Sequence, residues 1–146
     1  MKQIKYIAIL ALATLLMGCA NEYHSKFNDK WAFVAFEGNT FTVTDNKVSE
    51  LKIPIYLSSE TGLSSEVTVG VVAAETTAVA DVHYVLTTKN FSFNATHNVD
   101  TVRIEILNIE DGFDSKVLKL DLVDISNTNL KTLTPREATI TIREGK

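Results

Sequence analysis

Residues that cross-link, punctuate or bind metals are scarce in this sequence. One cysteine, two prolines, one tryptophan and six glycines are spread over 146 residues. A lone thiol excludes an intrachain disulfide and a multi-thiolate metal site, so the folded part must be held by packing. Basic residues are in deficit, with 14 Lys and Arg against 18 Asp and Glu. That balance disfavours a nucleic-acid partner, which requires clustered positive charge over phosphates, and equally disfavours electrostatic adhesion to an anionic membrane. No apolar run approaches the roughly 20 residues of a membrane-spanning helix. His24, His83 and His97 do not stand at ligand spacing with one another or with a cysteine. No Gly-x-Ser-x-Gly elbow is present, and a small domain without long insertions offers little wall for a carboxylate-lined cleft. A non-catalytic protein without a cofactor is therefore expected.

What the sequence does have begins at its start. Lys2 and Lys5 precede a mostly apolar run of 12 residues, 6–17 (YIAILALATLLM), the size of a signal-peptide core. It ends in Leu16-Met17-Gly18-Cys19, which resembles the lipobox of bacterial lipoproteins. The resemblance implies removal of residues 1–18 as a lipoprotein signal peptide, diacylglycerol on the Cys19 sulfur and acylation of the new amine. The attached chains, palmitate or its like, hold firmly to a membrane when two or more are present. Removing Lys2 and Lys5 leaves 12 basic against 18 acidic residues, a net charge of −6. Ala20 follows the cysteine where inner-membrane lipoproteins often carry aspartate, so the resemblance favours the outer membrane and leaves the leaflet open. Residues 19–30, polar and without periodicity, read as the lipidated cysteine and its tether.

From residue 31 the period is two. Leu51, Ile53, Ile55 and Leu57 alternate with Lys52, Pro54 and Tyr56; Val102, Ile104 and Ile106 alternate with Arg103 and Glu105; Leu118, Leu120 and Leu122 with Lys119 and Asp121. Each such strand has one dry and one wet face, the mark of antiparallel sheets sharing an interior. About seven strands are predicted: 31–36 continuing loosely to 43, 48–57, 65–74, 82–87 with 91–93 nearby, 101–108, 116–122 and 138–143. The fold class is all-β, an immunoglobulin-like antiparallel sandwich over residues 31–146. Pro54 cannot donate to a ladder, so its strand is expected at an edge or at a bulge. His83 is expected to face solvent from a strand.

Several segments of this domain resemble the Calx-beta family in order and spacing. They are Phe41-Thr42-Val43-Thr44-Asp45, Thr77-Ala78-Val79-Ala80-Asp81-Val82-His83-Tyr84, Phe91-Ser92-Phe93, the acidic turn Ile109-Glu110-Asp111-Gly112-Phe113-Asp114, and the closing Ala138-Thr139-Ile140-Thr141-Ile142-Arg143-Glu144. The resemblance implies calcium ligands in loops at one end of the sandwich, with Asp45, Asp81, Glu110, Asp111 and Asp114 as candidates. The departures fall on those ligands: His83 and Lys116 stand where the family carries acidic residues, and Arg143-Glu144 replaces paired aspartates. A lysine ammonium about 5 Å from a divalent ion costs about 6 kcal/mol at an effective dielectric near 20. No tight metal site is expected.

Trp31 and Tyr56 are candidate ligand-binding aromatics, since exposed rings serve sugar recognition. Two functions follow as expectations: a membrane-anchored envelope module for structural support or protein interaction, with sheet edges open to an extended partner segment, or a glycan-binding accessory lipoprotein of a polysaccharide-uptake system.

Overall fold

The computed structural model describes residues 32–59, 62–108, 112, 114–132 and 135–145. The leader, Cys19, the tether, Trp31, Glu110 and Asp111 lie outside the described residues. Ten strand segments follow in order: β1 Ala32–Phe36, β2 Thr40–Thr44, β3 Glu50–Ser59, β4 Ser65–Val71, β5 Tyr84–Leu86, β6 Asn90–Phe93, β7 Val99–Ile106, β8 Ser115–Ile125, β9 Lys131–Thr132 and β10 Glu137–Arg143. A single 3-10 turn, Ala73–Glu75, lies between β4 and β5.

The segments alternate without exception between two five-stranded sheets. One is ordered β5-β7-β3-β1-β9 and the other β2-β10-β8-β4-β6. The predicted sandwich is present; two of its seven runs, 31–43 and 82–93, change sheet midway, and β9 is an additional two-residue strand that the predicted runs did not include. β1 leaves its antiparallel pairing with β3 at Phe36, turns at Gly38 and continues as β2 beside β10. Gly38 has φ of +97°, a backbone conformation that side chains with a Cβ rarely adopt. β5 passes into β6, and β9 into β10, in the same way. Two pairings, β1 with β9 and β2 with β10, are consequently parallel.

The switching runs supply every edge strand, and each edge is short, from two residues in β9 to five in β2. Short edges limit pairing with foreign strands. An extended partner segment therefore finds little open ladder, contrary to the expectation of an open edge.

Alternation fills the interior between the sheets. Val34, Phe36, Ile53, Ile55, Val102 and Ile104 from one sheet meet Leu118, Leu120, Ile140, Ile142 and Phe93 from the other, all essentially sealed from water. Each such side chain contributes roughly 1.5–3 kcal/mol of burial free energy.

Pro54 does not sit at an edge. Its strand, β3, is the centre of its sheet, and the ladder is regular through the proline, with Pro54 opposite Thr101. The Pro54 carbonyl accepts from the Glu37 N–H at 2.8 Å, so the missing donor faces β1 one residue after its last strand position. Proline is tolerated there because the neighbouring strand is already departing. The bulge lies elsewhere, between Thr68 and Val69 in β4.

Candidate functional site

The sandwich has two ends. At one, the chain enters at Ala32, and the loops after β3, β6 and β8 gather. At the other lie the β2–β3 turn, the segment before β5, the β7–β8 loop and residues 143–145. The second end holds the family-type candidates.

Asp45 is buried immediately after β2. Its N–H donates to the Arg143 carbonyl at 3.0 Å, and its Oδ1 accepts from the Gly145 N–H at 2.7 Å. A Cβ at Gly145 would overlap the end of the exposed Asn46 side chain, which would have to swing aside. The carboxylate thus fastens β10 to the β2–β3 turn. Gly112 N–H donates to Glu144 Oε1 at 3.2 Å, drawing the β7–β8 loop to the same segment.

His83 corrects the expectation of a solvent-facing strand residue: it is 4% exposed and lies in the turn before β5. Asp81 adopts φ of +61°, the one non-glycine residue with positive φ among those described. Aspartate is among the few side chains that tolerate this region. That twist shifts the strand phase and turns His83 inward. His83 Nδ1 then accepts from the Val79 N–H at 3.0 Å, while its own N–H donates to the Val79 carbonyl at 2.8 Å and its carbonyl accepts from Leu107 at 3.0 Å. An accepting Nδ1 places the proton of the neutral ring on Nε2. The histidine closes a turn. Sequence reasoning missed this role, and the signal available was an aspartate two residues ahead of it.

Tyr84 follows, buried, its phenol pushed above its usual range first by burial and then by the Asp81 charge. Lys116 lies opposite Ile142 on the inward-facing side of β8 at this same end. Asp81 and Asp114 are exposed. Of the five acidic candidates, the structure therefore assigns one to a backbone clasp and leaves two in solvent; Glu110 and Asp111 are not described. Among the described residues no group of three or more His, Cys, Asp or Glu converges.

Tyr56 stands near the opposite end, half-buried on the outer face of its sheet. Phe33 meets it edge-on, with ring centroids 6.0 Å apart and planes at 79°. The pair gives no flat two-ring platform. A groove of about 350 Å³ on the other sheet contains Lys119 and Arg136, but both cations are engaged. Lys119 Nζ meets Glu75 at 2.7 Å and Glu137 at 2.8 Å, which raises its pKa, Glu137 contributing most. Arg136 forks onto Asp121 at 2.7 and 3.2 Å. Neither is placed to receive an anion.

A two-sheet body with stitched loops defines an immunoglobulin-like sandwich module. The sequence matches the Calx-beta domain family over residues 28–146, and the chain belongs to that family. Calx-beta domains serve as binding and regulatory modules rather than enzymes. Solved structures agree on the fold. The apo form of the Calx CBD1 domain superposes with a TM-score of 0.69 at 20% identity, covering 80% of this chain and 99% of that one. The calcium binding domain CBD12 of CALX1.1 gives 0.65 at 20% identity, covering 76% of this chain and 44% of that one. A two-domain protein of unknown function from Bacteroides fragilis gives 0.50 at 12% identity, covering 85% of this chain and 49% of that one. No curated protein sequence matches the chain.

Proposed function

We propose that this chain is a bacterial envelope lipoprotein, anchored through acylated Cys19 in the outer membrane, whose Calx-beta sandwich supports or contacts other envelope proteins without catalysing a reaction. The observation that carries the reading is the position of the single cysteine. It directly follows a basic start, a 12-residue apolar run and a glycine, and it precedes the family domain by only nine residues. Labelling of cells with an alkyne fatty acid should mark the mature protein, and Cys19→Ser should abolish the label and release the domain from membranes. Retention of the label in the variant would refute the anchor.

Calcium is the family's known ligand, and binding here is expected to be weak or absent. Asp45 already accepts a backbone hydrogen bond, and Lys116 brings positive charge to the inward side of the same end. Calorimetric titration of the folded protein with calcium should give no heat at micromolar ligand; a clear heat there would reverse this reading. The glycan-binding alternative is supported less well, because Tyr56 and Phe33 meet edge to face.

A further inference from the structure

At the entry end of the β4 sheet lies a depression of about 240 Å³ lined mainly by hydroxyl, amide and carboxylate groups. Ser64, Ser65 and Glu66 come from the start of β4, Ser92 from β6, and Asn94 and Ser126 from just beyond β6 and β8. Strand pairing brings them together. Glu66 stands opposite Ser92 across the β4–β6 ladder, and the Ser126 N–H donates to the Glu66 carbonyl at 2.9 Å, which draws the end of β8 alongside.

Two side chains in this lining are fixed by bonds that leave their remaining polar atoms unused among the described residues. Asn94 Oδ1 accepts from the Thr96 N–H at 2.9 Å, the Thr96 hydroxyl at 2.8 Å and the His97 N–H at 3.0 Å. Two backbone donors decide which end of the amide is oxygen, so Nδ2 is left with two N–H donors to offer. Glu66 Oε1 accepts from the Ser92 hydroxyl at 2.6 Å, a short charge-assisted bond that sets the carboxylate and leaves Oε2 as an acceptor. Both residues are exposed, so water serves these atoms until a ligand displaces it.

We propose that this depression binds a neutral sugar ring through two adjacent hydroxyls, the Asn94 amide donating to their oxygens and Glu66 Oε2 accepting from one of them. Each sugar hydroxyl is both donor and acceptor, and a fixed amide beside a fixed carboxylate offers both functions. The lining includes no Lys or Arg to hold a phosphate or carboxylate, and one carboxylate among neutral groups is a poor match for a divalent metal. Its volume falls below the roughly 300–1,000 Å³ of pockets that enclose a ligand, so it suits one ring on the surface of a longer glycan. The site lies on the opposite sheet from the Tyr56 and Phe33 pair, and it does not depend on the lipid anchor.

The test is nuclear magnetic resonance titration of the full isotope-labelled chain, in a detergent without a sugar headgroup, with the methyl pyranosides of mannose, galactose and glucose. At least one should shift the Asn94 side-chain amide and the Glu66 backbone amide along a common saturating curve in the millimolar range. Asn94→Asp keeps an oxygen for the turn N–H groups but removes the Nδ2 donors, and should abolish the saturation. Glu66→Gln keeps the shape but removes the charge, and should weaken binding about ten-fold. Signals of the core strands, unmoved in each variant, report that the fold is intact. No saturable shift with any of the three probes would overturn the proposal, as would binding that both variants retain. Saturable shifts confined to Phe33, Tyr56 and their neighbours would overturn it in favour of the aromatic pair.

Discussion

The two ends of the sandwich are held together by different chemistry. The entry end is closed by uncharged hydroxyl and amide groups. Ser126 Oγ accepts from the Glu66 N–H at 2.8 Å and lies 3.4 Å from Ser65 Oγ, Asn127 Nδ2 donates to the Ser64 carbonyl, and Asn94 Oδ1 caps the turn N–H groups of Thr96 and His97. The far end is closed by ionisable groups, Asp45 on Gly145 and His83 on Val79. One end is therefore held by neutral dipoles, with Asp100 and His97 at its margin, and the other by a carboxylate and an imidazole that accept from backbone N–H groups. The same fold can present a neutral base and a charged tip because its strands fix only the interior.

The interior beneath the entry end should give the largest effect. Phe93 is 1% exposed and stacks at 6.3 Å on both Phe91 and His97. Phe93→Ala removes that ring from a closed core and should destabilise by about 3–5 kcal/mol in urea unfolding, with the m-value unchanged. A loss near zero would mean that this end is packed less tightly than its burial indicates.

At the charged end, His83→Leu keeps the bulk but leaves the Val79 N–H without its acceptor. The expected loss is about 1–3 kcal/mol, and amide exchange should accelerate at Val79 before it does so elsewhere. Uniform acceleration across both ends would show that His83 supports the whole body rather than its turn. Ser126→Ala makes the matching change at the entry end, where the Glu66 N–H is near solvent and water can replace the hydroxyl. Its cost should be smaller, about 1 kcal/mol, read in the same urea experiment.

What could be read from sequence follows from what alternation records. It reports which residues face inward, and the seven runs were legible for that reason. It does not report which sheet a residue belongs to. β1 and β2 both carry inward side chains, yet they sit on opposite layers, and only the short Glu37-Gly38-Asn39 step marks the crossing. Pro54 misled because a missing donor suggests an edge, whereas a neighbour that turns away leaves the same vacancy in a central strand. His83 misled because the left-handed Asp81 shifts the phase by which facing is judged. At the candidate site, residue types alone could not reveal the role of Asp45, which depends on Gly145, 100 residues later.

The smallest effects should separate the ends by pH. Asp100, near the entry end, is pushed upward by burial, but the Thr101 N–H at 2.7 Å and His97 at 3.1 Å outweigh this and hold its pKa below the usual 3.8. A folded pKa below the unfolded one stabilises at pH above the unfolded value, and that stability is lost as acid titrates the folded group. Tyr84, at the far end, is shifted the other way, above 10.0. Its contribution is complete below pH 10 and is lost as the pH rises through the folded value, because the unfolded phenol ionises first. Asp100→Asn should therefore flatten the fall in melting temperature below about pH 4 and leave the alkaline limb alone, while Tyr84→Phe should flatten only the limb above about pH 10. If either substitution altered both limbs, the ends would be coupled through the core, and the division of chemistry between them would be one of composition rather than of energetics.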